Sequence, residues 1–144
     1  MVAAPSSSHR APSLTLDGLS PTDPVEDVRA QVLIVDDSAE GREIMRAILQ
    51  SRGWTSHEVS GARAGLEWMR RCRPAVVVLD LDAEAADDES LRDEWDCEAR
   101  EQNASLVVLG GARRYRDSLP AEQVIRKPYH YAPLISTIER LLGR

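Results

Sequence analysis

The sequence predicts a doubly wound α/β domain, with a five-stranded parallel sheet between two helical layers. Two observations predict it. Short unbroken apolar runs recur at Val32 to Val35, Ala75 to Leu79 and Leu106 to Leu109. β-Branched runs of this length suit strands buried on both faces, as in a parallel sheet covered by helices. Between the runs lie longer stretches with apolar residues three and four apart, the period of a helix with one buried face. Strands alternating with helices imply parallel pairing through right-handed crossovers.

The elements follow in order. Residues 1–24 hold four of the eight prolines and a Ser6-Ser7-Ser8 run, the composition of a disordered tail, so the domain is set at 25–144. After the first strand, Ala39 to Arg52 places Ile44, Met45, Ile48 and Leu49 on one helical stripe. Gly53 follows, where a helix end favours a left-handed residue. Thr55 to Ser60 is a shorter candidate strand, and Ala62 to Cys72 a helix with Leu66, Met69 and Cys72 inward. Leu91, Trp95 and Ala99 mark a helical stripe on an acidic segment before the fourth strand, and Val124-Ile125 is a short fifth strand. Pro120 interrupts a brief interval between them, which predicts a truncated helix or a loop there. Pro133 fits the first turn of a last helix that turns Leu134, Ile135, Ile138, Leu141 and Leu142 inward. Helical period alone accounts for these Met, Trp and Leu positions as core packing.

A chain of 144 residues suits one domain. Its net charge of -6 argues against a nucleic-acid partner, which needs a basic stripe. Arg113, Arg114 and Arg116 form a small basic patch with no aromatic interleaving, read as a solvated face. No run approaches the roughly 20 apolar residues that span a bilayer, and the N-terminus lacks a signal peptide's apolar core. No membrane partner and a cytoplasmic location are therefore expected. Cys72 and Cys97 have no metal-ligand spacing and read as reduced thiols.

Ligands of doubly wound sheets bind beyond the carboxyl ends of the strands. Those ends carry Asp36-Asp37 after the first run, Asp80 after the third, Gly110-Gly111 after the fourth and Lys127-Pro128 near the fifth. Three carboxylates brought together there repel one another unless a cation sits among them. A hard divalent ion such as Mg²⁺ is the natural partner, and Lys127 supplies a point charge for a phosphoryl oxygen. The expectation is a metal-dependent site that handles a phosphoryl group.

With these residues in view, the stretch from Gln31 to Leu142 resembles the receiver domain of two-component response regulators, a flavodoxin-like fold. The resemblance rests on Val32-Leu33-Ile34-Val35-Asp36-Asp37, Pro74-Ala75-Val76-Val77-Val78-Leu79-Asp80 and Lys127-Pro128-Tyr129, together with Arg42, Gly53-Trp54 and the start of the second helix. It implies that Asp80 accepts a phosphoryl group from a histidine kinase or phosphotransfer protein. It also implies that Asp36, Asp37, Asp80 and the backbone carbonyl of Asp82 hold Mg²⁺. Lys127 would then bind the phosphoryl oxygen, with a cis peptide bond to Pro128.

The chain departs from that pattern at two switch positions. Gly110 stands where the family has Thr or Ser, which removes a hydroxyl donor to the phosphoryl group, a bond worth about 1.5 to 3 kcal/mol. The backbone N–H of Gly111 is left as a donor. Val124 stands where the family has Tyr or Phe. Asp82 and Glu84 add negative charge after the acceptor, and Asp87-Asp88-Glu89 reads as an acidic start to a helix.

Three functions compete. The first is a stand-alone receiver, a phosphoacceptor and not a turnover enzyme, whose chain closes after the last helix and whose output passes through an unknown downstream protein. The second is a degenerate receiver that works as a phosphorylation-independent interaction module. The third is a haloacid-dehalogenase-like phosphohydrolase using Asp80 and Asp82.

Overall fold

The computed structural model describes residues 29–80, 89–110, 119 and 123–143. The tail, the acidic segment 81–88, the basic patch at 113–116 and the interval around Pro120 lie outside the described residues. Along the chain run β1 (Val32–Val35), α1 (Ala39–Ser51), β2 (Ser56–Val59), α2 (Ala62–Cys72), β3 (Val76–Asp80) and α3 (Glu89–Gln102). They are followed by β4 (Ser105–Leu109), β5 (Val124–Ile125) and α4 (Tyr131–Leu141).

All strand pairings are parallel, and the sheet order is β2-β1-β3-β4-β5. This is the flavodoxin-like doubly wound arrangement that the apolar runs predict. From β1 the chain steps outward to β2 through α1, then reverses to β3 through α2. Right-handed crossovers in opposite directions put those helices on opposite faces.

The two cores follow from the strand period of two. Leu33, Val35, Val77, Leu79, Leu106 and Val108 pack with Leu66, Met69, Leu91 and Trp95 on the α2 and α3 side. Their neighbours Val32, Ile34, Val76, Val78, Val107 and Leu109 pack with Met45, Leu49, Leu134 and Ile138 on the α1 and α4 side. β1 and β3 are apolar on both faces until they emerge at their ends, which is where Asp36 and Asp80 lie.

Two expectations need correction. Ile44 was placed on the inward stripe of α1, yet it is exposed, and the buried positions of that helix are Arg42, Met45 and Leu49. An arginine displaces the isoleucine from the buried face because its guanidinium reaches acceptors behind β1. The second strand is shorter than Thr55 to Ser60, since Thr55 instead exchanges hydrogen bonds with Gln31: its N–H donates to Gln31 Oε1 at 2.9 Å and its Oγ1 accepts from the Gln31 N–H at 3.1 Å. Ser56, His57 and Glu58 of β2 are buried although polar. Gly53 has the expected positive φ, +88°. No helix among the described residues is long and apolar enough to cross a membrane.

Side-chain hydrogen bonds help to tie the helices down. Trp95 Nε1 donates to the Ala62 carbonyl at 3.0 Å, joining α3 to the start of α2. Glu139 of α4 accepts from Arg52 through both carboxylate oxygens, at 2.8 and 2.9 Å, and from Trp54 Nε1 at 2.9 Å.

Gly65 allows α2 to approach the sheet closely. A Cβ there would meet Val35 Cγ2 at 3.1 Å, Val59 Cγ1 at 3.2 Å and Trp95 Cζ2 at 3.3 Å. Gly65→Val should lower unfolding free energy by about 2 to 3 kcal/mol in urea titration, the cost of overpacking a filled core. Gly61→Ala, where a Cβ meets nothing within 4 Å, should cost only about 1 kcal/mol or less, the loss of a better N-cap.

Candidate functional site

Register brings the acidic residues together. Val35 lies opposite Leu79 in the parallel pairing of β1 with β3, so Asp36 and Asp80 leave the sheet side by side. The switch point of the topology falls between these two strands.

Asp36 is held by several hydrogen bonds. Its N–H donates to the Val59 carbonyl at 3.1 Å, and its carbonyl accepts from Arg42 Nη1 at 2.7 Å. Its Oδ1 accepts from the Ser38 N–H at 2.9 Å. Ser38 is also the N-cap of α1, with its Oγ accepting from the Gly41 N–H at 3.1 Å. One short turn therefore both starts the helix and orients the carboxylate. A Cβ on Gly41 would lie 2.7 Å from Asp36 Oδ2, so glycine leaves that oxygen its space. Burial raises the Asp36 pKa to about 6, the Ser38 hydrogen bond opposes the rise, and the neighbouring Asp80 carboxylate adds to it.

Asp80 is the last residue of β3, and its side chain is almost buried. Lys127, just beyond β5, donates from Nζ to Asp80 Oδ2 at 2.8 Å. Nζ also lies 2.6 Å from Oδ1, so the ammonium contacts both oxygens of the carboxylate. The Lys127 side chain is half exposed, so the ammonium remains in reach of solvent. The Lys127–Pro128 peptide bond is cis, as the resemblance implies.

Asp36, Asp80 and Lys127 thus come together, and Asp37 stands next to them on the exposed side of the turn. Among the described residues no group of three or more His, Cys, Asp or Glu is closed up into a metal-holding cluster. The ammonium of Lys127 takes the place beside Asp80 that a cation would share. The donor set nevertheless suits a hard divalent ion: adjacent carboxylates that resist joint ionisation, and space at Asp36 Oδ2 that a Cβ on residue 41 would fill. Asp82 and Gly111 lie outside the described residues.

Gly110 follows β4 with φ +70°, and its N–H donates to the Ile125 carbonyl at 2.9 Å. The missing hydroxyl thus goes with a left-handed backbone, which a β-branched residue such as Thr adopts only with strain. Val124, in β5, is half-buried against the α2 and α3 core.

Sequence reasoning gave no role to three contributors. Glu58, buried in β2, pairs with Arg46 at 2.7 Å and faces Arg42 at 3.7 Å. Its signal was a carboxylate in the middle of a short strand. Gly41 showed itself only as a glycine in a helix's first turn. Tyr129 meets Tyr131 edge to face, with ring centroids 5.6 Å apart. Burial first, then Tyr131, Asp36 and Asp80, push the Tyr129 hydroxyl well above the usual phenol range, which sets this ring beside the acidic pocket.

No protein-family model matches the chain, and no curated protein matches it by sequence. Solved structures do match. A signal receiver domain of a signal transduction histidine kinase from Syntrophus aciditrophicus is 22% identical, with a TM-score of 0.66 over 79% of this chain and 90% of that one. The receiver domain of a putative LuxO repressor protein from Vibrio parahaemolyticus is 20% identical, with a TM-score of 0.63 over 81% and 92%. A CheY-like response regulator receiver domain protein from Methanospirillum hungatei is 16% identical, with a TM-score of 0.64 over 79% and 94%. The chain has the receiver fold, and none of these three structures is a phosphohydrolase.

The Asp36 carboxylate should destabilise the metal-free protein at neutral pH. Its pKa is higher in the folded state than its ordinary 3.8, so the unfolded chain ionises first as pH rises. The penalty is absent below about pH 4, grows as pH rises and is complete above about pH 6. In chelator, Asp36→Asn should gain about 1 to 2 kcal/mol in unfolding free energy at pH 7 and nothing at pH 3.5. Urea titration at the two pH values checks it.

Proposed function

We propose that this receiver fold works as a response-regulator receiver, accepting a phosphoryl group on Asp80 from a histidine kinase or phosphotransfer protein in the cytoplasm. The observation that carries the reading is the Asp80–Lys127 pair beside buried Asp36, drawn from the ends of β3, β5 and β1.

One Asp80 oxygen attacks phosphorus in line as the bond from phosphorus to the donor's imidazole nitrogen breaks, and the electron pair leaves with the imidazole. The product is an acyl phosphate. Lys127 exchanges its contact with Asp80 for one with the arriving phosphoryl oxygens, a move its half-exposed side chain permits. Asp36, Asp37 and Asp80, with the backbone carbonyl of Asp82, would hold Mg²⁺. When bound, that ion neutralises charge on the transferring group. The chain is a phosphoacceptor, not a dedicated turnover enzyme, and it signals by contact with a downstream protein.

A second reading, an interaction module that works without phosphorylation, is favoured by the backbone at Gly110 and by Val124. Neither position offers the hydroxyl or the aromatic ring that would report an acyl phosphate.

Labelled acetyl phosphate with Mg²⁺ separates the two readings. Wild type should take up label, Asp80→Asn should take up none, and Lys127→Ala should label about 100-fold more slowly. A wild-type chain that stays unlabelled leaves the second reading in place.

A further inference from the structure

Arg42 is buried in the first turns of α1, a costly place for a guanidinium. Its Nη1 donates to the Asp36 carbonyl at 2.7 Å, while its Nε faces Glu58 Oε1 at 3.7 Å. The other Glu58 oxygen lies 2.7 Å from Arg46 Nε. A buried ion pair of this kind is weak support for stability, since apolar residues of similar volume serve at least as well. Its use here must lie in what it holds.

Of the bonds that hold the Asp36 backbone, the one from its N–H to Val59 belongs to strand pairing that any sequence makes. The bond on its carbonyl depends on one side chain. Arg42 bridges that carbonyl and β2, whereas Arg46 pairs with Glu58 and not with Asp36. The carbonyl of Asp36 is also the amide oxygen of the peptide joined to Asp37, so fixing it fixes the backbone from which both carboxylates project.

We infer that Arg42 is a positioning residue for cation capture, fixing the Asp36–Asp37 peptide so that both carboxylates face one ion. The inference rests on the reading of the site given above. Glu58 lies on the far side of the guanidinium, and Arg46 pairs with its other oxygen without reaching the Asp36 carbonyl.

The test is calorimetric titration of the full chain with Mg²⁺, at a temperature where circular dichroism shows every variant folded. Arg42→Met should raise the Mg²⁺ Kd about 10-fold or more, the usual scale for losing a group that orients a ligand. Arg46→Met loses its pair with the same Glu58, so it should lower Tm yet leave Kd within about twofold. Arg42→Lys keeps the charge but cannot span the carbonyl and Glu58 together, so it should recover Tm and not affinity. It carries the test if Arg42→Met does not fold. Folded Arg42 variants with wild-type Kd would overturn the inference, as would Arg46→Met weakening Mg²⁺ as much as Arg42→Met does. A wild-type chain that binds no Mg²⁺ sinks the metal reading itself, and the role of Arg42 with it.

Discussion

The parallel register of β1 against β3 is the constraint on which the site depends. With Val35 opposite Leu79, the strands end level and deliver two carboxylates to one spot. Hydrophobic burial on both faces of both strands enforces that register, because a slip of one residue would turn each strand's apolar set onto the wrong core. The energy that aligns the acids is thus supplied by Val, Leu and Ile contacts far larger than the repulsion it imposes. Lys127 and the Ser38 N–H offset part of that repulsion, while burial first, and Asp80 after it, leave Asp36 with a raised pKa.

Around this point the fold divides its labour. The α2 and α3 side is packed by Trp68, Trp95 and Leu79, with Gly65 letting helix and sheet touch. The α1 and α4 side carries the polar supports. Arg42 reaches through from α1 to the Asp36 carbonyl, and the Arg52, Trp54 and Glu139 bonds fasten α4, whose preceding loop holds Lys127. A rigid wall on one side and a hydrogen-bonded frame on the other hold the carboxylates at the sheet edge.

Legibility in the sequence followed how local each signal was. The runs at Val32, Val76 and Leu106 stand out because both faces are apolar, and the acids at their ends were found by position alone. Ser56, His57 and Glu58 made β2 a fainter candidate with loose bounds, since their burial depends on partners such as Arg46 and Cys72 that only the tertiary fold supplies. Ile44 and Arg42 exchanged expected places for the same reason: helical period says which positions share a face, not which face finds acceptors behind it. At Gly110 the sequence revealed the loss of a hydroxyl. The left-handed backbone is a property of the loop and its bond to Ile125, and no single letter encodes it.

That backbone also limits what position 110 can become. A Thr there would sit in a conformation costing an L-residue roughly 1 to 2 kcal/mol, and a β-branched one more. The loop would have to release its bond to Ile125 and rebuild before a hydroxyl gained any use. Gaining that donor therefore requires linked changes, none favoured alone. The glycine works as a ratchet in sequence space: a single substitution at 110 costs stability before it can add chemistry.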